Sequence, residues 1–194
     1  MSKTRKRIKK AAYKCFAKKG YSASLDDIAK KVGIKAPSLY AHFGSKEDLF
    51  YEVIKEEIES YFIDLEKQFK LLDGQSVHDQ VSGIFFSAIS YFKDKHRARF
   101  WRNIPLVKES QLRNKCRQLI QHNDARYTKR LIEIFNQGVE NQELRATVDE
   151  GSVYLWLALV QGILDGMLLY EDNPIDMQSY ALKAWEAFWN GIKY

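Results

Sequence analysis

Apolar residues recur along this chain at intervals of three and four, the spacing that gathers side chains on one face of an α-helix, and alternating strand-like runs bounded by hairpin turns are missing. The pattern predicts an all-α fold. Ile8, Ala11, Ala12, Cys15 and Phe16 form the first stripe, with Lys18 and Lys19 in the last turn and Gly20 as the stop. Ser24 is placed to cap a second helix, with Asp27 three residues on, and Leu25, Ile28, Ala29 and Val32 form its stripe before Gly33. Pro37 suits a first helical turn, so a third helix is expected over residues 36 to 43, where Ala36, Leu39, Tyr40 and Phe43 carry the periodicity to Gly44. The short link between the second and third helices is that of a helix-turn-helix.

Ser45, Lys46, Glu47 and Asp48 open a long fourth helix with Leu49, Val53, Ile54, Ile58, Tyr61, Phe62, Leu65 and Phe69 at its apolar positions and Gly74 at its end. It bridges two expected domains, residues 1–61, which carry the helix-turn-helix, and the helical residues 62–194. Ser76 with Asp79 caps a fifth helix that runs through Phe92, and a short segment around Phe100 and Trp101 leads to a break at Pro105. Leu112 to Val139 reads as another long helix, followed by a strongly apolar one from Val153 to Tyr170. Asn173, Pro174 and Asp176 start the last, whose stripe is Met177, Tyr180, Ala181, Ala184, Trp185, Phe188, Trp189 and Ile192.

The stretch from Val153 to Tyr170 approaches the length of a membrane span, but Gln161, Gly162, Asp165 and Gly166 interrupt it and no second span accompanies it. A buried helix is expected. Gly162 and Gly166 lie four residues apart, a spacing that lets helix backbones approach closely, within one chain or between two. Taken with the aromatic face of the last helix, they point to a dimer interface of Gly162, Gly166, Tyr180, Ala184, Trp185, Phe188 and Trp189.

Charge sharpens the picture. The formal charge is +6, but thirteen bases and only Asp26 and Asp27 lie in residues 1–46, a net +11, which leaves the remainder at −5. The cationic end is the one that carries the helix-turn-helix. A solvated tail or attraction to a membrane surface accounts for the first ten residues alone, not for the ordered pattern behind them. With 45% hydrophobic residues the chain can bury a substantial core without staples. Cys15 and Cys116 are too few and too far apart for a zinc site or disulfide framework, and the basic start lacks the apolar stretch of an export signal. No metal or cofactor is expected, and the cytoplasm is the expected compartment.

A second helix held by a tight glycine turn fits the major groove of duplex DNA. Leu39 and Phe43 must hold the third helix against the first two, with Ser24, Ile28, Ala29 and Gly33 completing that core. Lys35, Ser38, Ala41 and His42 are thereby left to face DNA, with Tyr40 at the edge and Ala36 and Pro37 in the first turn. Lys46 adds a cation beside the free amides that open the fourth helix, a ready phosphate clamp.

The run from Ile8 to Phe50 resembles the DNA-binding module of the tetracycline-repressor (TetR) family of bacterial regulators. The resemblance rests on Phe16, Gly20-Tyr21, Ser24, Ile28-Ala29, Gly33-Ile34, Leu39-Tyr40, His42-Phe43, and Ser45-Lys46-Glu47 with Leu49. Lys35 stands where the family often has serine, and Cys15 where it often has leucine. The resemblance implies a homodimer formed by the last two long helices, a palindromic DNA operator, and a cavity for a small-molecule effector among the helices between residues 50 and 170. Trp101, Tyr127, Leu131, Phe135 and Trp156, with Phe86 and Phe92 nearby, either line that cavity or are ordinary core. Arg99, Arg102, Gln161 and Asp165 either orient a ligand or are solvated or paired.

Enzyme chemistry is not visible: there is no glycine-rich phosphate loop, no G-x-S-x-G, no H-E-x-x-H and no Glu-x-x-His pair. His42, His78, His96 and His122 are scattered.

Overall fold

The computed structural model of the chain describes residues 2–170 and 176–194. Among these run α1 (Lys3–Lys19), α2 (Leu25–Val32), α3 (Pro37–Tyr40), α4 (Lys46–Leu71), α5 (Val77–Tyr91), α6 (Lys95–Asn103), α7 (Ser110–Glu140), α8 (Glu150–Leu169) and α9 (Met177–Ile192). The all-α expectation holds for the described residues. Asp176 caps α9 through the amides of Gln178 and Ser179, whereas Asn173 and Pro174, expected to start that helix, lie outside the described residues.

The third helix is shorter than the 36 to 43 expected. Ala36 at its start offers no side-chain cap. At its other end both His42 and Phe43 donate their amides to the Leu39 carbonyl, at 2.9 and 3.0 Å, so the helix tightens into a turn. That turn delivers the chain to Ser45, whose hydroxyl accepts from the Asp48 amide and opens α4.

The chain packs as two units, one of residues up to 61 together with 94–121, the other of residues 62–93 and 122–194. Residues 94–121 thus group with the N-terminal helices. In the first unit α1 packs on both α2 and α6. Ile8, Phe16, Ile28, Leu39, Phe50 and Phe100 are fully buried there, with Phe16 and Phe50 edge to face at 4.7 Å. Asn103 of α6 donates to the carbonyls of Phe16 and Ala17, satisfying the C-terminal end of α1.

In the second unit α8 packs on α5 and α9. Its core includes Phe85, Phe135, Trp156, Trp185 and Phe188. Glu143 accepts from the Val77 amide and so caps α5 from the loop after α7. Gly138 is required there, since a Cβ would stand 2.7 Å from a Leu144 methyl. Arg145 donates its amide to the Ile192 carbonyl, pinning the end of α9 to the same loop.

Candidate DNA-binding face and effector region

The helix-turn-helix is built from local rules. Ser24 Oγ accepts from the Asp27 amide at 3.0 Å and starts α2. Gly33 ends it in the left-handed region, φ 77°, with its amide on the Ala29 and Lys30 carbonyls. No atom crowds the place of its Cβ, so the backbone conformation and not space demands glycine. Ile28, Ala29, Leu39 and Phe43 are buried beneath, which fixes the roll of α3. Lys35, Pro37, Ser38 and Ala41 are exposed on its outside with Tyr40, which keeps 58% of its surface in solvent. Ala36, His42 and Lys46 are half-buried beside them. Most of the sequence-derived face is therefore open to solvent, with Ala36, His42 and Lys46 partly covered.

The charge of this end is smaller at the surface than the sequence implies. Lys9 is buried and ion-paired with Glu56, with Glu52 at 4.0 Å. Arg5 pairs with Glu52 and donates to the His42 carbonyl. Arg7 donates to the Val32 carbonyl at 2.8 Å. These three bases are thus engaged inside the unit. The partners lie 25 to 47 residues away, so periodicity carries no signal for them. Lys46 holds its ammonium 4.4 Å from the centre of the Tyr21 ring. Burial pushes the Tyr21 hydroxyl up to about 12, with Glu47 and Glu109 adding to the shift, so it stays protonated. Burial likewise raises the thiols of Cys15 and Cys116.

Most of the expected effector residues are core side chains, the alternative reading their sequence pattern left open. Phe92, Tyr127, Leu131, Phe135 and Trp156 are buried side chains, and Trp101, edge to face with Tyr61 at 5.2 Å, belongs to the first unit while the others belong to the second. Tyr127 is committed to structure: it stacks on Phe62 at 5.2 Å, and its hydroxyl donates to the Phe62 carbonyl and to Glu66. Gln161 is exposed on α8, donating to Asp165, and faces away from the core. The buried Nε1 of Trp156 has no hydrogen-bond partner among the described residues. Of the expected set only Phe86 borders a groove of about 520 Å³ in the second unit, whose other walls are Asp64, Lys67, Gln68, Gly83, Ser87, Ser90 and Tyr91.

The expected dimer face also changes. Trp185 and Phe188 are buried within the protomer, where Trp185 meets Phe85 at 5.4 Å and Phe188 meets Phe135 at 6.5 Å. They cannot form an outer surface. Trp189 is half-buried against His78, Ala184 is half-buried, and Gly166 lies under the Met177 methyl. Gly162 and Tyr180 are exposed. Helix α8, expected to be buried, is long and apolar enough to cross a membrane, yet only 17% of that stretch is buried. Val153, Trp156 and Ile163 alone are fully covered, while Tyr154, Leu155, Ala158, Gly162 and Leu169 are open.

Residues 8–53 match the family described as bacterial regulatory proteins, tetR family. This is the stretch of the chain that is similar to the tetR family. An HTH-type transcriptional regulator of Staphylococcus aureus is 36% identical over 95 residues, 48% of this chain and 50% of that protein. The biofilm operon negative transcriptional regulator IcaR of Staphylococcus epidermidis is 46% identical over 50 residues, 25% of this chain and 26% of its own. The chain therefore spans half or less of these relatives. Across the whole fold it is similar to FadR of Bacillus subtilis, solved in complex with stearoyl-CoA, at TM-score 0.73 and 20% identity, covering 96% of this chain and 98% of that one. It is similar too to the ketosteroid regulator KstR2 of Mycobacterium tuberculosis, at TM-score 0.71 and 19% identity over 100% and 97% of the two chains. The TetR-type module is thus joined to a C-terminal helical region that shares its fold, at low identity, with solved regulators.

Proposed function

We propose that the protein is a sequence-specific DNA-binding transcriptional regulator, a homodimeric cytoplasmic repressor that leaves a palindromic operator when a small, largely apolar effector binds. The observation that carries the reading is the outer face of α3 and its flanks, where Lys35, Ser38, Tyr40 and Ala41 are exposed around a helical turn held by buried Leu39 and Phe43. A helix so presented by a TetR-type module suits the major groove: its polar atoms meet base edges while Lys46, at the start of α4, meets phosphate.

The dimer reading is supported by the outer faces of α8 and α9. Tyr154, Ala158, Gly162 and Leu169 follow one another at helical spacing on α8, and Tyr180, Ala187 and Gly191 do so on α9. These mostly small and apolar residues suit a second copy of the same helices. The effector reading is supported by Trp156, whose unpartnered N–H, beside Phe85 at 5.9 Å, suits a hydrogen-bond acceptor on an otherwise apolar molecule. The neighbour FadR was solved with stearoyl-CoA, whose acyl chain has that character.

Release is tested by reciprocity. Long-chain acyl compounds are screened by tryptophan quenching, and DNA affinity is measured with and without each binder. The expected result is a roughly 5- to 150-fold loss of DNA affinity, on the order of 1 to 3 kcal/mol, with the same loss of ligand affinity when DNA is bound. A ligand that quenches Trp156, shown by loss of the signal in Trp156→Phe, yet leaves DNA affinity unchanged contradicts the coupling.

A further inference from the structure

Helix α3 is one turn long, too short to be stable by its own hydrogen bonds. Its inner side is fixed by Leu39 and Phe43, but packing at one side leaves the tilt of its outgoing end to other groups. The group at that end is Arg5 of α1. One guanidinium nitrogen donates to the His42 carbonyl, just past the last turn, and the other to Glu52 Oε1 of α4. The guanidinium carbon lies 4.2 Å from the centre of the Phe43 ring. Lys9, one turn further along α1, pairs with Glu56 and lies 4.0 Å from the second oxygen of Glu52, so the carboxylate is itself braced.

We infer that Arg5 is a positioning residue for DNA recognition, which sets the tilt of α3 by clamping the His42 carbonyl against Glu52, and does not bind phosphate. This rests on the DNA-binding reading above. The planar fork is what the site uses: two acceptors on different elements and an aromatic face below, an arrangement that the point charge of lysine does not reproduce. A cation at the carbonyl end of the recognition turn is also the favourable sign for the local dipole. An arginine in a basic N-terminal segment reads from sequence as a phosphate contact, and the two roles make opposite predictions for its partner. Glu52→Gln removes a negative charge from the DNA-binding end. If electrostatics alone mattered, DNA would bind more tightly; if Arg5 is a clamp, specific binding weakens because the fork loses its anchor.

The experiment uses the full-length protein and a duplex recovered by its own selection from a random pool, with a scrambled duplex as the non-specific probe. For Arg5→Lys and Glu52→Gln the expected result is a specific affinity lower on the order of tenfold. Non-specific affinity should be unchanged or, for Glu52→Gln, slightly higher, and the salt slope on the selected duplex should match the wild type. Retained non-specific binding and a helical circular dichroism spectrum serve as the folding control, and if Arg5→Lys does not fold, Glu52→Gln decides. The inference is overturned if Glu52→Gln tightens specific binding or leaves it unchanged. It is overturned equally if Arg5→Ala flattens the log-log salt slope by about 0.9 and weakens both duplexes alike, the signature of a lost phosphate contact. Failure of the wild type to prefer any duplex would instead strike at the DNA-binding reading.

Discussion

Lys46 and Tyr21 form a stacked pair, the ammonium 4.4 Å from the ring centre at the point where α4 begins. The ring holds the cation without neutralising it, and Phe50 at 5.0 Å holds the ring. A lysine so placed keeps its charge for a phosphate while losing part of the freedom it would otherwise give up on binding. Lys46→Ala is expected to weaken selected and scrambled duplexes by similar factors and to flatten the salt slope by about 0.9. Tyr21→Leu, which keeps the apolar contact, should weaken both duplexes less and leave the slope unchanged. Fluorescence anisotropy across a range of salt concentrations checks both, and an unchanged slope for Lys46→Ala would remove it from the interface.

The outer faces of α8 and α9 make a prediction opposite in kind to that for the inward side of the same helices. Ala158→Glu and Ala187→Glu place charge on exposed positions, so each should yield folded monomers with native helicity and little specific DNA binding. Trp185→Ala, on α9 but facing inward, should instead lower stability by about 3 to 5 kcal/mol without abolishing dimerisation of the folded fraction. Sedimentation and thermal melts separate the two effects. Dimers surviving both charge substitutions would contradict the assigned surface.

Glu66 gathers Tyr127, Arg126, Arg130 and Lys70 around one carboxylate. Burial works against the charge, but the Tyr127 hydroxyl and the three cations outweigh it and hold the carboxyl below its ordinary value of 4.5. A carboxyl whose folded value is lowered stabilises the fold above its ordinary ionisation and loses that contribution as the pH falls through the lowered value. Glu66→Gln should therefore unfold at lower denaturant than the wild type at about pH 7, with the gap closing below about pH 4.5. A gap that stays constant from neutral pH to well below the ordinary carboxyl range would contradict a charge-based role.

What was legible in the sequence was local. Ser24, Gly33, Leu39 and Phe43 could be placed because caps, left-handed stops and helical stripes act within a few residues. The partners of Arg5 and Lys9 could not, since nothing nearby distinguishes a clamped base from a solvated one. Helix α9 departs from expectation for a different reason. It carries apolar or small residues around most of its circumference, Tyr180, Leu182, Ala187 and Gly191 outside as well as Trp185 and Phe188 inside, so periodicity alone does not tell which face the protomer covers. The largest side chains go inward, where Phe85 and Phe135 meet them. Tyr127 and Phe135 were legible as apolar positions, but whether such residues surround a void or fill it depends on packing between helices distant in sequence.

The central claim, that the outer face of α3 reads DNA sequence as part of a two-fold dimer, is tested most directly by selecting bound duplexes from a random pool with the wild type and with Ser38→Ala. The account predicts a palindrome whose half-sites lie about 34 to 36 Å apart, or a multiple of that, and a changed preference within each half-site for the variant. No enriched sequence, or an enriched site without two-fold symmetry that Ser38→Ala leaves untouched, would contradict it.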